Sequence, residues 1–181
     1  LKFLLLPSAI TRKERTLVIG DGMVIDPWVL NTELTGWEES AGEDPRGERL
    51  YISERAHIIL PFHRYLDSLD KKIGTTGRGI GPTYADKTNR IGLRFGDLAE
   101  VMADDDWMEA TTARMNSTLS AAGSEDTITV SGLKADVEWI WNAYSTSIKN
   151  TGLMLDNALK LGEHVILEGA QGCLLDIDQG T

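Results

Sequence analysis

The chain has 181 residues, and 18 lysines and arginines against 28 aspartates and glutamates give it a formal net charge of −10. Nucleic acid binds basic surfaces, so an acidic chain predicts no nucleic-acid partner, and any anion site must be local. A hydrophobic fraction of 41% excludes intrinsic disorder. The longest apolar run, Phe3 to Leu6, is too short for a membrane span. We therefore expect a soluble single domain over residues 1–181, and the lone Cys173 is consistent with a reducing, cytoplasmic location.

Short apolar runs alternate with helical patterns in the first part of the chain, an order typical of an α/β fold with a mostly parallel sheet and crossover helices. The predicted strands are Phe3 to Leu6, Thr16 to Ile19, Leu50 to Ile52 and His57 to Leu60, with a turn at Asp21-Gly22.

Two helix starts are marked by local signals in this same part. Asp26 is a capping residue directly before Pro27, which is favoured in the first helical turn. The following apolar residues predict a buried face made of Trp28, Leu30, Leu34 and Trp37. The charged stretch from Glu38 to Arg49 predicts a surface loop, and Pro61 predicts the start of a second helix.

The second part of the chain predicts a helical subregion over about residues 100–162, inserted before a last strand. Helical patterns cover residues 107–122 and 133–161, and Thr151-Gly152 predicts a break in the longer one. His164 to Leu167 is short, apolar and rich in β-formers, so it predicts a buried strand.

Positive charge is concentrated between Lys71 and Arg94, where six basic residues accompany a single acidic one. The segment contains a glycine loop from Gly74 to Pro82, with hydroxyls at Thr75 and Thr76. Glycines allow backbone N–H groups to face a ligand, and a helix opened by Pro82 would add a favourable N-terminus. Because Lys87 and Arg90 are three residues apart, we expect both on one face of that helix. The segment predicts a site for a small phosphorylated ligand.

Each candidate also has a plain structural interpretation. The glycine loop has no Walker A pattern, and its glycines alone favour a flexible loop before a solvated basic helix; the concentration of positive charge is what favours the phosphate site. Gln171, in the run Glu168 to Gly172 after the last predicted strand, could read a base or merely cap a turn. Asp176 and Asp178 could hold Mg²⁺ or lie in a solvated turn. Core or edge packing is the better interpretation of the three histidines, His57, His63 and His164.

A longer motif carries a resemblance to a known family. The run from Gly74 to Arg90 contains the pattern G-I-G-P-x-Y-x-x-K-x-x-R, and it continues through Gly92-Leu93-Arg94 and Gly96-Asp97-Leu98. This run resembles the signature of the adenylosuccinate synthetase family. Further similarity lies in Val18 to Gly22, His57 to His63, Leu167 to Gly172 and Leu174 to Asp178.

The resemblance implies a P-loop NTPase-like fold and an enzyme of purine nucleotide biosynthesis. In that family GTP drives the ligation of L-aspartate to inosine monophosphate (IMP), giving adenylosuccinate, GDP and phosphate, with Mg²⁺ as cofactor. By motif position, Thr76 and Gln171 are expected to contact IMP, and Arg90 is expected to reach the IMP phosphate in the partner of a homodimer. Lys87 is expected to support catalysis, and Arg78 and Arg94 to contribute to the phosphate environment.

Several family features are not found in this sequence. The loop Gly-Asp-Glu-Gly-Lys-Gly, the family's catalytic histidine and its C-terminal aspartate and guanine sites have no counterpart, and Cys173 and Gln179 replace the usual Thr and His. We therefore expect an incomplete fold, an internal piece that is inactive alone, and Mg²⁺ ligands and acid–base residues outside it, with no metal site here. The alternatives are a non-catalytic nucleotide-binding or dimerisation module and a generic α/β domain.

Overall fold

The computed structural model describes residues 3–69 and 77–169, and these ranges contain five strands and seven α-helices. In chain order the elements are a 3-10 helix Ser8–Thr11, β1 Leu17–Ile19, β2 Val24–Ile25, α1 Pro27–Ala41, β3 Leu50–Ser53, β4 His57–Ile58, α2 Pro61–Leu69, α3 Ile80–Asn89, a 3-10 helix Phe95–Asp97, α4 Leu98–Val101, α5 Asp105–Ala121, α6 Val130–Tyr144, β5 Ile148–Lys149 and α7 Thr151–Lys160. Within the described ranges, no helix is both long and apolar enough to cross a membrane.

All strand pairs between these named strands are parallel, which confirms the predicted α/β class. One sheet has the order β1-β3-β5, and a smaller one pairs β2 with β4. Leu17 is opposite Leu50 in the first pair, and Ile52 is opposite Ile148 in the second. Helix α1 is the crossover between the strands β1–β2 and the strands β3–β4, while α2 to α6 connect β4 to β5. Parallel pairing requires such connections because consecutive strand ends lie at opposite edges.

Helix α1 begins where the sequence predicts. The Asp26 carboxylate accepts hydrogen bonds from the N–H groups of Trp28 and Val29, both at 3.1 Å, and Pro27 occupies the first turn. Leu30, Leu34 and Trp37 are buried as expected, whereas Trp28 is only partly buried. The helix ends four residues into the predicted loop, at Ala41, because Gly42 takes the left-handed conformation (φ 70°) that closes a helix.

The core joins the sheets to α1 and to the α5–α6 pair. Its members are buried apolar residues, including Leu17, Ile52, Ile58, Leu34, Phe95, Met108, Leu119, Val137 and Tyr144. The long helix predicted over 133–161 is divided, but earlier than expected. Helix α6 ends at Tyr144, β5 follows, and α7 starts at Thr151. Ile148 continues the apolar spacing of α6, although it belongs to a strand, so periodicity alone conceals the break.

Two predicted strands are wrong. Residues 4–6 form a bend rather than a strand, and Phe3 before them has no regular structure. The Glu33 carboxylate accepts from the backbone N–H groups of Leu4, Leu5 and Leu6, at 2.7, 3.1 and 3.0 Å. These donors are therefore satisfied without a neighbouring strand. His164 to Leu167 has no regular structure and pairs with no strand among the described residues. Ile166 is 93% exposed, so an apolar β-type run is not sufficient for burial.

Candidate functional site

The described part of the glycine loop lies directly on helix α2. Gly77 and Gly79 both have left-handed backbones, with φ of 68° and 77°. Gly79 is buried, and a Cβ there would be 2.9 Å from the backbone carbonyl carbon of His63, so only glycine fits without a shift. Lys71, Thr75 and Thr76 lie outside the described residues.

The residue before α3, Gly79, is hydrogen-bonded to another helix of this chain. The Gly79 N–H donates to the buried carboxylate of Asp67 on α2, at 2.9 Å, so this donor faces the protein and not a ligand. Helix α3 begins at Ile80, two residues before the predicted start at Pro82. The prediction placed the start too late because a left-handed Gly79 precedes the helix, and proline is tolerated anywhere in the first turn.

The Lys87 side chain is directed at the turn between β1 and β2. Its Nζ donates to the carbonyl oxygen of Asp21 at 2.7 Å, while the Tyr84 hydroxyl donates to the carbonyl oxygen of Gly22 at 3.0 Å. Burial lowers the pKa of Lys87, an effect partly opposed by the charge of Asp21. Helix α3 is thus tied to the turn, and the Lys87 ammonium group has a structural contact before any ligand arrives.

Arg90 lies just past the end of α3 and is exposed. Its φ of 61° makes it the one non-glycine residue with a positive φ among the described residues. Because α3 ends at Asn89, Lys87 and Arg90 do not share a helix face, contrary to the expectation from their spacing. Arg90 forms no ion pair within the described ranges. A left-handed arginine is strained, and such strain concentrates at functional positions.

Arg94 and Arg78 lie in different surroundings. Arg94 forms a two-point ion pair with Asp97, with Nε at 2.9 Å from one carboxylate oxygen and Nη2 at 2.7 Å from the other. It also lines a depression of about 270 Å³ together with Glu54, Arg55, Gly96 and Asp97, so two acidic and two basic residues border it. Arg78 is exposed next to Gly79, at the opposite end of α3 from Arg90.

Asp86 connects α3 to two other helices. Its carboxylate oxygen Oδ2 is 3.4 Å from Nε2 of His63 on α2 and 3.3 Å from Nη1 of Arg114 on α5. Burial raises the pKa of Asp86, but the His63 hydrogen bond and the Arg114 charge outweigh it, so the net shift is downward. The carboxylate is therefore ionised at neutral pH, and it holds α3 against α2 and α5.

The histidines only partly follow the packing interpretation. His57 is buried at the start of β4, and burial, followed by the charge of Lys87, lowers its pKa. His63 is buried on α2 with both ring nitrogens engaged, since its Nδ1 accepts from the N–H of Leu60 at 2.9 Å. His164 is exposed and lies in no strand, so the packing prediction is wrong for it.

The second candidate run is described only at its first two residues. The Glu168 carboxylate accepts from both N–H and Oγ of Ser8, at 3.0 Å each. Gln171, Cys173, Asp176, Asp178 and Gln179 lie outside the described residues. Within the described part of the chain, no three His, Cys, Asp or Glu side chains come together as a metal site would require.

Sequence reasoning missed the acidic residues that hold the basic segment in place. Asp21 receives hydrogen bonds at one carboxylate oxygen from Ser53 Oγ at 2.5 Å and Thr151 Oγ1 at 3.2 Å. Asp67 and Asp86 have the contacts described above. One signal was available for Asp86, because it is the single acidic residue between Lys71 and Arg94.

Comparison with known proteins extends the similarity over the whole chain. The family model for adenylosuccinate synthetase matches residues 1–181. Adenylosuccinate synthetases from Chlorobaculum tepidum and Bifidobacterium longum are 44% and 43% identical to it over 98% of this chain. A fully ligated adenylosuccinate synthetase from Plasmodium falciparum superimposes with a TM-score of 0.77 at 28% identity, covering 97% of this chain and 41% of that one.

This chain is shorter than the proteins it matches, spanning 42% of the length of the two bacterial relatives. The match nevertheless includes the glycine loop, α3 and the residues that follow it, where the motif of the resemblance lies. The chain therefore belongs to the adenylosuccinate synthetase family.

Proposed function

We propose that this chain forms the IMP-contacting and dimer-contacting part of a purine-biosynthesis ligase. The complete enzyme joins L-aspartate to IMP at the expense of GTP and releases adenylosuccinate, GDP and phosphate. The observation that carries this proposal is Arg90, an exposed and strained arginine just past the end of α3, with no ion pair among the described residues. A guanidinium group in this state suits two-point binding of a phosphate.

The residues of this chain bind and orient the substrate in the proposed reaction. Arg90 reaches the IMP phosphate in the partner subunit, while Thr76 and Gln171 contact IMP in their own subunit. Lys87 supports the site indirectly, because its Nζ holds the turn at Asp21 against α3. Arg78 and Arg94 add positive potential, and that of Arg94 is reduced by its pair with Asp97. A purine held in this way has its O6 presented to the GTP γ-phosphoryl group, which it takes up as GDP leaves. The aspartate amine then attacks C6 and displaces O6 as phosphate.

Among the described residues, no cluster of His, Cys, Asp or Glu side chains fits a Mg²⁺ site. We propose that the Mg²⁺ ligands, the acid–base residues and most GTP contacts belong to family segments that this chain does not share. The chain alone is then inactive, and residues 1–181 act as one part of a larger cytoplasmic enzyme, with the helical subregion at about 100–162 as an insertion.

Substitution of Arg90 tests the proposal in a protein of full family length that carries this chain. In Arg90→Leu, loss of a charge-assisted phosphate contact of about 1.5–3 kcal/mol raises the KM for IMP about ten- to hundredfold and leaves the KM for GTP unchanged. Arg12→Leu, at an exposed arginine after the first 3-10 helix, is the matched control and leaves both unchanged. A larger rise in the KM for GTP than for IMP would contradict the assignment.

Assembly provides an independent test. A ligand that both subunits touch binds the dimer more tightly than the monomer, so IMP shifts the equilibrium towards the homodimer. Sedimentation velocity over a concentration series, with and without IMP, measures this shift. A protein that is monomeric under both conditions removes Arg90 from the partner's site and favours the non-catalytic binding module.

Gln171 is tested through turnover. A carboxylate in place of its amide repels the purine O6, where negative charge develops, and donates no hydrogen bond to it. Gln171→Glu therefore lowers kcat at saturating IMP, GTP and aspartate. An unchanged kcat would mean that Gln171 only shapes the turn.

A further inference from the structure

Arg78 is exposed and lies between two glycines with left-handed backbones. Gly77 has a φ of 68° and is exposed, and a Cβ there would meet no atom within 4 Å, whereas Gly79 has a φ of 77° and is buried. Arg78 forms no ion pair with any residue that the structure describes. Glycine has more backbone freedom than any other residue, so a Gly-Arg-Gly run does not by itself fix the direction of its arginine. The direction of Arg78 therefore depends on the contacts that hold Gly79.

Both polar backbone groups of Gly79 have partners inside the protein. Its N–H donates to Oδ2 of Asp67 at 2.9 Å, and its carbonyl oxygen accepts from the N–H and the Oγ1 of Thr83, at 3.1 and 2.6 Å. Thr83 is fully buried, so these contacts are shielded from solvent. The Cα of Gly79 also lies against α2, where a Cβ would be 2.9 Å from the Cβ of His63. Gly79 is thus the fixed point next to Arg78.

The Asp67 side chain links α2 to the residue before α3. Asp67 is 6% exposed and forms no ion pair within the described ranges. A buried carboxylate without a cation is costly, and the partial positive charge at the start of α3 lowers that cost. Without this carboxylate the buried Gly79 N–H would have no partner. The Gly79 backbone would then lose one of the contacts that select its left-handed conformation.

We propose that Asp67 is a positioning residue, whose hydrogen bond to the Gly79 N–H fixes the turn that carries Arg78 and keeps the Arg78 guanidinium group oriented for an anionic ligand. The proposal rests on the proposed function for that ligand, the phosphate of IMP. A long side chain that is already oriented loses less conformational entropy when its ligand binds. Asp67 therefore affects IMP binding without contacting IMP, and it does so through Arg78.

Asp67→Ala in a protein of full family length tests the proposal by steady-state kinetics. We expect the KM for IMP to rise about two- to tenfold, the cost of ordering one long side chain on binding. The kcat and the KM for GTP stay unchanged, because Arg78 binds the substrate and the transition state alike. Asp104→Ala is the matched control, since it removes a carboxylate that caps α5 by accepting from the Trp107 N–H at 2.8 Å, and it leaves the KM for IMP unchanged.

A double-mutant cycle with Arg78→Gln separates positioning from a general loss of stability. Arg78→Gln alone raises the KM for IMP by at least as much as Asp67→Ala, because it removes the charge itself. The double variant has the KM of Arg78→Gln if Asp67 acts through Arg78. Effects that multiply in the double variant overturn the proposal, and so does an unchanged KM in Asp67→Ala while Arg78→Gln raises it.

A second variant covers the case in which Asp67→Ala does not fold, as judged by circular dichroism. Thr83→Val then takes its place in the cycle, because it removes the hydroxyl that donates to the Gly79 carbonyl oxygen and loosens the same turn. The same outcomes support or overturn the proposal.

Hydrogen exchange without IMP judges the role of Asp67 independently of the ligand. The Gly79 amide, followed by mass spectrometry, should exchange at least about tenfold faster in Asp67→Ala than in the wild-type protein, since its acceptor is gone. Unchanged exchange would overturn the proposal, because the turn would then be held without Asp67. If Arg78→Gln leaves the KM for IMP unchanged while the exchange accelerates, the proposed function of Arg78 fails, and the anchoring of the turn by Asp67 is supported.

Discussion

Replacing Gly79 with alanine tests how closely α3 lies against α2. The change has two costs, which the structure separates. An L-residue at φ 77° is strained by about 1–2 kcal/mol. In addition, the new Cβ would be 2.9 Å from the carbonyl carbon and the Cβ of His63, and 3.0 Å from the backbone N of Arg64. Backbone atoms do not give way easily, so overpacking adds about 1–3 kcal/mol. We expect Gly79→Ala to lower the free energy of unfolding by about 2–5 kcal/mol, the sum of the two costs.

Gly42 supplies the matched control. It has a similar left-handed backbone, with φ of 70°, but a Cβ there would meet no atom within 4 Å. Gly42→Ala therefore carries the strain of about 1–2 kcal/mol without the overlap. Urea denaturation of this chain, with the m-value checked for each variant, measures both changes. Equal losses of stability in the two variants would show that α3 does not press on α2 at Gly79, and the reasoning would fail.

Three further outcomes are expected from denaturation of single variants. Tyr144→Phe lowers the free energy of unfolding by about 1–2 kcal/mol, because the buried Tyr144 hydroxyl donates to the carbonyl oxygen of Pro27, which would lose its partner. An unchanged free energy of unfolding would mean that water replaces the hydroxyl. In the folded protein, burial and the charge of Lys87 lower the pKa of His57. In the unfolded chain the same imidazole takes up its proton at about pH 6.5. The stability linked to His57 is therefore complete above that pH and falls as the pH drops through it, and His57→Gln should flatten the stability profile between about pH 7.5 and 5.5. Arg94→Gln should cost less than about 1 kcal/mol, because its pair with Asp97 is half exposed, and a much larger loss would assign that pair a structural role.

Local signals in the sequence predicted what depends on neighbours in the chain. Asp26 and Pro27 mark the start of α1 because a cap acts on the next two or three residues. The prediction of a strand over His164 to Leu167 is wrong, because a parallel strand is stable only beside another strand and a local sequence pattern does not specify which strand that is.

The same distinction applies to the candidate site. The sequence located the basic segment and the glycines, and the ion pair of Arg94 with Asp97, three residues on, is also a local feature. The contact of Lys87 joins residues 66 positions apart, and that of Asp86 with Arg114 joins residues 28 apart. Those contacts depend on how α3 docks, which composition and spacing do not specify. They alter the interpretation of the segment, because Lys87 is engaged while Arg90 is exposed.

The two-residue strand β5 has a consequence for how the chain folds. It pairs Ile148 with Ile52, so the third strand of the larger sheet must be recruited from nearly a hundred residues downstream. Closing so long a loop costs conformational entropy before the pairing returns any stabilisation, and such contacts form slowly. The Ile52 and Glu54 N–H groups, which donate to the Ser147 and Lys149 carbonyl oxygens, stay open until then. During synthesis or refolding, β3 is thus a temporary sheet edge that is open to intermolecular pairing.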